Sequence, residues 1–228
     1  VEREKQFTSD ASHELRTPLT VLKGTLEVLI RKPRSKAEYE EKINFSISEV
    51  NRLNNLVDQL LLLARFENHK QSLRIEKIYL NAIILNALTL FSSKIKDNQV
   101  QVLYDFSKDY YIKSDNYLVS IIISNLISNA LKYSSQEGKV VISLSKNGSK
   151  TICSITDNGI GIAQEDIDKI FNPFYRSDAT NHPDIKGSGL GLSIVKKIVE
   201  ETGCEIHVDS EPGEGCTFRF TWPRSGAA

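Results

Sequence analysis

The chain has 228 residues, with 29 basic against 29 acidic and 40% apolar content, enough for two compact units. The balance holds locally, with 11 charges of each sign in residues 1–68 and 18 of each in the remainder, so nucleic acid and anionic membrane surfaces are poor partners. No apolar run approaches the roughly twenty residues that cross a bilayer, and the singly placed Cys153, Cys204 and Cys216 are expected as reduced core residues of a cytosolic protein. A chain that begins at Val1 and lacks methionine is expected to be a fragment of a longer protein, and Ser225–Ala228 a flexible tail (224–228 with the preceding residue).

A first helix is expected from near Glu2 to Arg31. Its apolar residues Phe7, Ala11, Leu15, Leu19, Leu22, Leu26 and Leu29 approximate a seven-residue repeat with two apolar positions. His13 falls outside that seam, with Glu14 beside it and Thr17 one turn on. An imidazole facing water is partly neutral near physiological pH, and an adjacent carboxylate can hold one ring proton while the other nitrogen attacks. A surface histidine alone means little, so this chemistry depends on what lies downstream. Pro18 should bend the helix near His13. Ser35 ends the turn as N-cap of a second helix that carries Tyr39, Ile43, Ile47, Val50, Leu53, Val57, Leu60 and Ala64 on one face. Two helices cannot enclose stripes this long, so a second copy is expected to complete a four-helix bundle; the alternative is a coiled coil packed on the following domain.

A polar joint, Glu67–Ser72, separates this hairpin (1–68) from a mixed domain (72–223). Strands are expected at Leu73–Ile78, Val100–Phe106, Tyr110–Lys113, Val140–Ser145, Thr151–Thr156, Glu205–Asp209 and Thr217–Trp222, with a hairpin through Asn147-Gly148. Helices are expected at Leu80–Ile95, Tyr117–Tyr133 and Leu190–Glu201. The class is α+β: an antiparallel helical hairpin, then an α/β sandwich with helices on one sheet face.

Four motifs of this domain suit a nucleotide. Asn125, Asn129 and Lys132 share one helix face, where amide oxygens can ligate Mg²⁺ and the ammonium can meet phosphate. Asp157-Asn-Gly159-Ile-Gly161 follows a strand, so a carboxylate there can accept from an exocyclic amine while the glycines admit a flat ring. Phe171-Asn-Pro-Phe174-Tyr175-Arg176 offers aromatics to dock a segment and a guanidinium to reach a terminal phosphate. Gly187-Ser-Gly189-Leu190-Gly191 opens a helix, whose amide end attracts phosphate. A dinucleotide fingerprint is rejected, because no strand leads directly into these glycines.

The histidine stretch and these four motifs, in this order, resemble the cytoplasmic core of a two-component sensor histidine kinase, over nearly the whole chain. The resemblance implies a dimerisation and phosphotransfer hairpin followed by an ATP-binding domain of the histidine kinase, gyrase and Hsp90 type. By it, His13 is similar to the phospho-acceptor, Glu14 to its adjacent base, and Thr17 to the residue orienting water for dephosphorylation. Asn129 resembles the principal Mg²⁺ ligand, and Asn125 assists where related ATPases hold a catalytic glutamate. Lys132, Tyr133, Gly159, Gly161, Gly187, Gly189, Leu190 and Gly191 resemble nucleotide contacts, Asp157 the adenine-reading acid, Arg176 a γ-phosphate contact and Thr217 a threonine near adenine. The partners implied are a response regulator receiver domain and a second copy in a homodimer, with membrane attachment only through parts of a parent sensor beyond this cytoplasmic portion. The competing readings are an ATPase without transfer to histidine, which needs a carboxylate near Asn125, and a scaffold with a decayed pocket.

Overall fold

The computed structural model describes residues 2–67, 73–134, 137–177 and 187–223. Residues 68–72 of the joint, residues 178–186 and the tail lie outside them. The chain divides into two units, Val1–Lys70 and Gln71–Ala228. Among the described residues no helix is long and apolar enough to cross a membrane.

The first unit is a hairpin of α1 (Glu2–Ile30) and α2 (Lys36–Glu67). Pro18 does not end α1, which continues through it, and the ring is buried. Ser35 starts α2 with a reciprocal cap. Its hydroxyl accepts from the Glu38 N–H at 3.3 Å, while its own N–H and O–H donate to the Glu38 carboxylate at 2.9 and 2.8 Å. Orphan donors at a helix start are thereby satisfied.

Each helix carries two neighbouring rows at the same spacing, and only one is turned inward. On α2 the inward row is Lys42, Ser46, Glu49, Leu53, Leu56, Leu60 and Leu63, all buried or half-buried. Of the stripe read from the sequence, Tyr39, Leu53 and Leu60 are half-buried, and the other members lie one residue further round. Ile43, Ile47, Val50 and Val57 are 47, 52, 41 and 42% exposed, as is Leu61 at 53%. On α1 the expected seam splits in the same way, with Leu29 buried and Leu15 and Leu22 half-buried, but Leu19 and Leu26 exposed. Successive residues are about 100° apart on a helix, so the repeat period leaves the phase open.

The second unit is an α/β sandwich. Its five-stranded sheet has the order β2-β4-β5-β7-β6, built from β2 (Gln101–Asp105), β4 (Lys139–Asn147), β5 (Lys150–Asp157), β6 (Glu205–Glu211) and β7 (Gly215–Trp222). Only β2 and β4 run parallel. The β4–β5 hairpin turns at Gly148 as expected. The remaining strands, β1 (Ile75–Tyr79) and β3 (Tyr111–Asp115), form a separate antiparallel ladder. The helix expected over Leu80–Ile95 is two, α3 (Leu80–Leu90) and α4 (Ser92–Asp97). Phe91 breaks it with φ −95° and ψ 7°, just before Ser92-Ser93, residues that compete with helical bonding through their hydroxyls.

The core lies between one sheet face and the helices α5 (Asn116–Tyr133) and α6 (Gly191–Thr202). Val140, Ile142, Cys153, Ile155, Phe218, Phe220 and Trp222 alternate into it and meet Leu118, Ile122, Leu126 and Ile127 of α5 and Ile194 and Ile198 of α6, all buried. Asp115 fixes where α5 starts. It accepts from the Leu118 N–H at 3.1 Å and from the Arg74 N–H at 2.9 Å, which ties the helix to the segment before β1.

Candidate functional site

Asp157 ends β5 on the core face. Thr151, Cys153, Ile155 and Asp157 are the buried positions of that strand, and the two-residue period sends all four side chains to one side. The carboxylate is 5% exposed. Burial pushes it up from 3.8 to about 6, against the opposing pull of the Gly159 and Cys216 backbone N–H groups. The Gly159 N–H donates at 2.9 Å. A carboxylate kept so dry, with its donors coming from the backbone, is a strong acceptor for an amine that enters the same space.

The loop after Asp157 is docked on the end of α5. The Ile160 N–H donates to the Tyr133 carbonyl at 3.2 Å, and a Cβ on Gly159 would stand 2.0 Å from that carbonyl oxygen. No side chain fits there, so glycine sets the approach of the two motifs. From the other side the turn before β7 closes on the same loop, with the Gly213 N–H on the Ile160 carbonyl at 2.8 Å. A Cβ on Gly161 would meet the Glu211 carbonyl oxygen at 2.0 Å.

Asn125, Asn129, Lys132 and Tyr133 are all half-buried on α5. The Asn125 Nδ2 donates to the Ile121 carbonyl at 2.9 Å. Its Oδ1 is turned toward the first residue of α6, only 2.5 Å from where a Gly191 Cβ would lie. Lys132 Nζ stands 3.7 Å from the corresponding point on Gly187. The asparagine helix and the glycine-rich loop therefore line the same space. Burial pushes the Tyr133 phenol up, and the charge of the nearby Arg176 opposes it.

The aromatic segment locks to the glycine-rich loop through its backbone. The Phe174 N–H donates to the Gly189 carbonyl at 3.0 Å. Phe174 has φ +62° and Gly189 φ +71°, and a Cβ on Gly189 would fall 2.6 Å from the Phe174 carbonyl carbon. The left-handed conformation of a phenylalanine costs about 1 kcal/mol or more, held by the surrounding structure. Leu190, between the glycines, is wholly buried.

Thr217 is not brought to this site. It pairs with Thr156 across the strands, hydroxyl to hydroxyl at 3.0 Å, on the sheet face opposite Asp157. The residue level with Asp157 is Cys216. Burial and the nearby Asp157 carboxylate push the Cys216 thiol up to about 12. The alternation of Cys216, Phe218, Phe220 and Trp222 was the legible signal for this, because large apolar residues two apart mark the inward face.

On the first unit His13 is exposed and Glu14 half-buried. The Thr17 hydroxyl donates to the His13 carbonyl at 3.1 Å. Among the described residues no hydrogen bond joins the His13 ring to Glu14.

The second unit is an ATPase domain by class: residues 114–226 match the family model "Histidine kinase-, DNA gyrase B-, and HSP90-like ATPase". Residues 3–69 match the model "His Kinase A (phospho-acceptor) domain". The chain belongs to the sensor histidine kinases of two-component systems. It is 35% identical over 219 residues to the signal transduction histidine-protein kinase ArlS of Staphylococcus aureus, covering 96% of this chain and 48% of ArlS. It thus spans about half the length of the curated relatives it matches. Among solved structures it is similar to histidine kinase ThkA in complex with the response regulator protein TrrA, with a TM-score of 0.76 and 26% identity over 96% of this chain and 61% of that one. It is also similar to full-length ShkA in complex with AMPPNP, with a TM-score of 0.72 and 25% identity over 98% of this chain and 46% of that one.

Proposed function

We propose that the second unit binds ATP·Mg²⁺ and delivers the γ-phosphoryl group to His13, which passes it to an aspartate on the receiver domain of a response regulator. Residues 1–68 are the dimerisation and phosphotransfer unit and residues 72–223 the catalytic ATP-binding unit, within the cytoplasmic portion of a sensor. The observation that carries this reading is the buried Asp157 carboxylate at the centre of four interlocked motifs, on a chain that also exposes His13.

In this reading the Asp157 carboxylate accepts the exocyclic amine of adenine, and the Gly159–Gly161 backbone passes close to the ring. Lys132 and Arg176 neutralise phosphate oxygens, and the α6 start offers its amides to them. Phosphoryl transfer depends mostly on such positioning and charge neutralisation. Mg²⁺ fits the donors present. Among the described residues no group of three or more His, Cys, Asp or Glu can hold a metal, and Mg²⁺ is content with one or two protein oxygens beside phosphates and water. With its Nδ2 engaged on Ile121, Asn125 presents Oδ1, and Asn129 lies one turn on. When bound, Mg²⁺ would offset charge on the phosphates. Neither asparagine can take a proton from water, which suits a site that must not hydrolyse ATP.

His13 attacks through a ring nitrogen and Glu14 receives the proton released; Thr17 orients water when the partner is dephosphorylated. The exposed row Ile43, Ile47, Val50, Val57 and Leu61 supports the homodimer, because each helix of a four-helix bundle packs against two neighbours. Incubation with ATP·Mg²⁺ should place acid-labile phosphate on His13. His13→Gln should abolish labelling while leaving nucleotide binding intact; labelling that survives His13→Gln refutes the assignment.

A further inference from the structure

One carboxylate beside the nucleotide site has no part in the roles above. Asp166 lies in a short 3₁₀ turn, Gln164–Asp166, with a side chain only 15% exposed. Its Oδ1 accepts the Tyr175 O–H at 2.6 Å and the Lys169 ammonium at 3.2 Å, and its Oδ2 accepts the Ser177 O–H at 2.6 Å. Short O–H bonds onto an ionised carboxylate are among the stronger hydrogen bonds in proteins. They also hold the Asp166 carboxyl down, at about 2.

The sequence spacing gives this cluster its meaning. Tyr175 and Ser177 flank Arg176, and both are drawn to the one carboxylate. Arg176, between them, lies near enough to Tyr133 for its charge to act on the phenol. Upstream, the left-handed Phe174 and its bond to Gly189 fix the direction in which the chain arrives. The backbone carrying Arg176 is therefore tied on both sides, by Gly189 before it and by Asp166 across it. With its base already fixed, the guanidinium gives up only side-chain freedom on meeting phosphate, and no backbone ordering is added.

We propose that Asp166 is a positioning residue for the reaction: by clamping Tyr175 and Ser177 it aims Arg176 at the terminal phosphate of the bound nucleotide. This rests on the reading of Arg176 as the γ-phosphate contact. Such a clamp acts on ATP and not on ADP, which lacks that phosphate, and this separates it from a merely structural role.

The test measures ATP and ADP affinity of the full chain by calorimetry, with a thermal melt of each variant. Asp166→Ala should weaken ATP binding roughly tenfold and slow autophosphorylation, with ADP affinity held within about twofold. Arg176→Ala should do the same, and the double variant should be no worse than Arg176→Ala alone, because both remove one interaction. Tyr175→Phe deletes a single hydroxyl and should shift the ATP-to-ADP ratio in the same direction, which covers the case of a poorly folded Asp166→Ala. If Arg176→Ala changes the ratio and neither Asp166→Ala nor Tyr175→Phe does, the clamp is overturned alone. Equal losses for ATP and ADP, or additive losses in the double variant, overturn it too. If Arg176→Ala leaves the ratio unchanged, the phosphate role of Arg176 falls and the proposal with it.

Discussion

Replacing Asp157 by Asn should stabilise the second unit while weakening its grip on nucleotide. Below pH 3.8 the carboxyl is protonated in both folded and unfolded chains and costs nothing. Between 3.8 and about 6 the unfolded chain has released its proton and the folded one has not, so stability falls as pH rises through this window. Above it the loss is complete. At about 1.4 kcal/mol per pH unit it amounts to roughly 3 kcal/mol, with the opposing pull of the two N–H donors already included. Asp157→Asn removes the ionisation and should gain up to about 3 kcal/mol at pH 8, a rise in melting temperature of roughly 6–12 °C for a unit of this size. The gain should shrink as pH is lowered and vanish below about 4. Binding should move the other way, because a hydrogen bond onto a charged acceptor contributes about 1.5–3 kcal/mol and its loss weakens ADP binding roughly 10- to 100-fold. Urea unfolding at several pH values can be followed at Trp222, the sole tryptophan of the chain and 1% exposed in this core. The reasoning fails if the variant is less stable at pH 8, or if its advantage is the same at pH 4 and pH 8.

Two further substitutions probe the frame. Gly159→Ala forces a methyl to 2.0 Å from the Tyr133 carbonyl oxygen, which only backbone movement can relieve, so the Trp222 transition should drop by about 1–3 kcal/mol; an unchanged urea midpoint would remove the close approach from the account. Val50→Glu sets a charge in the middle of the open row on α2, 41% exposed in one chain and buried in the proposed bundle, where desolvation opposes it. Light scattering should then report a monomer in place of a dimer, and a dimer that persists at micromolar concentration would reject this row as the interface.

Much of the molecule was legible because its rules are local. The Ser35 cap needs only a serine with a glutamate three residues on, and the β4–β5 turn only Asn147-Gly148 between alternating runs. The order of the motifs led to the expectation that Asn125, Lys132, Asp157 and Gly191 gather in one place, and the structure interlocks the segments that carry them. What the sequence left open was phase and pairing. Two adjacent rows of α2 both repeat at 4-3 spacing, and only packing against α1 makes Glu49 an inward residue and Val50 an outward one. The position beside Asp157 fell to Cys216 and not Thr217, since strand register turns on a single residue and reverses the face of every side chain. The clamp of Tyr175 and Ser177 on Asp166 likewise joins residues nine and eleven apart that no helical or strand period relates. Periodicity belongs to the chain itself; which of two equivalent faces is buried belongs to the neighbour that covers it.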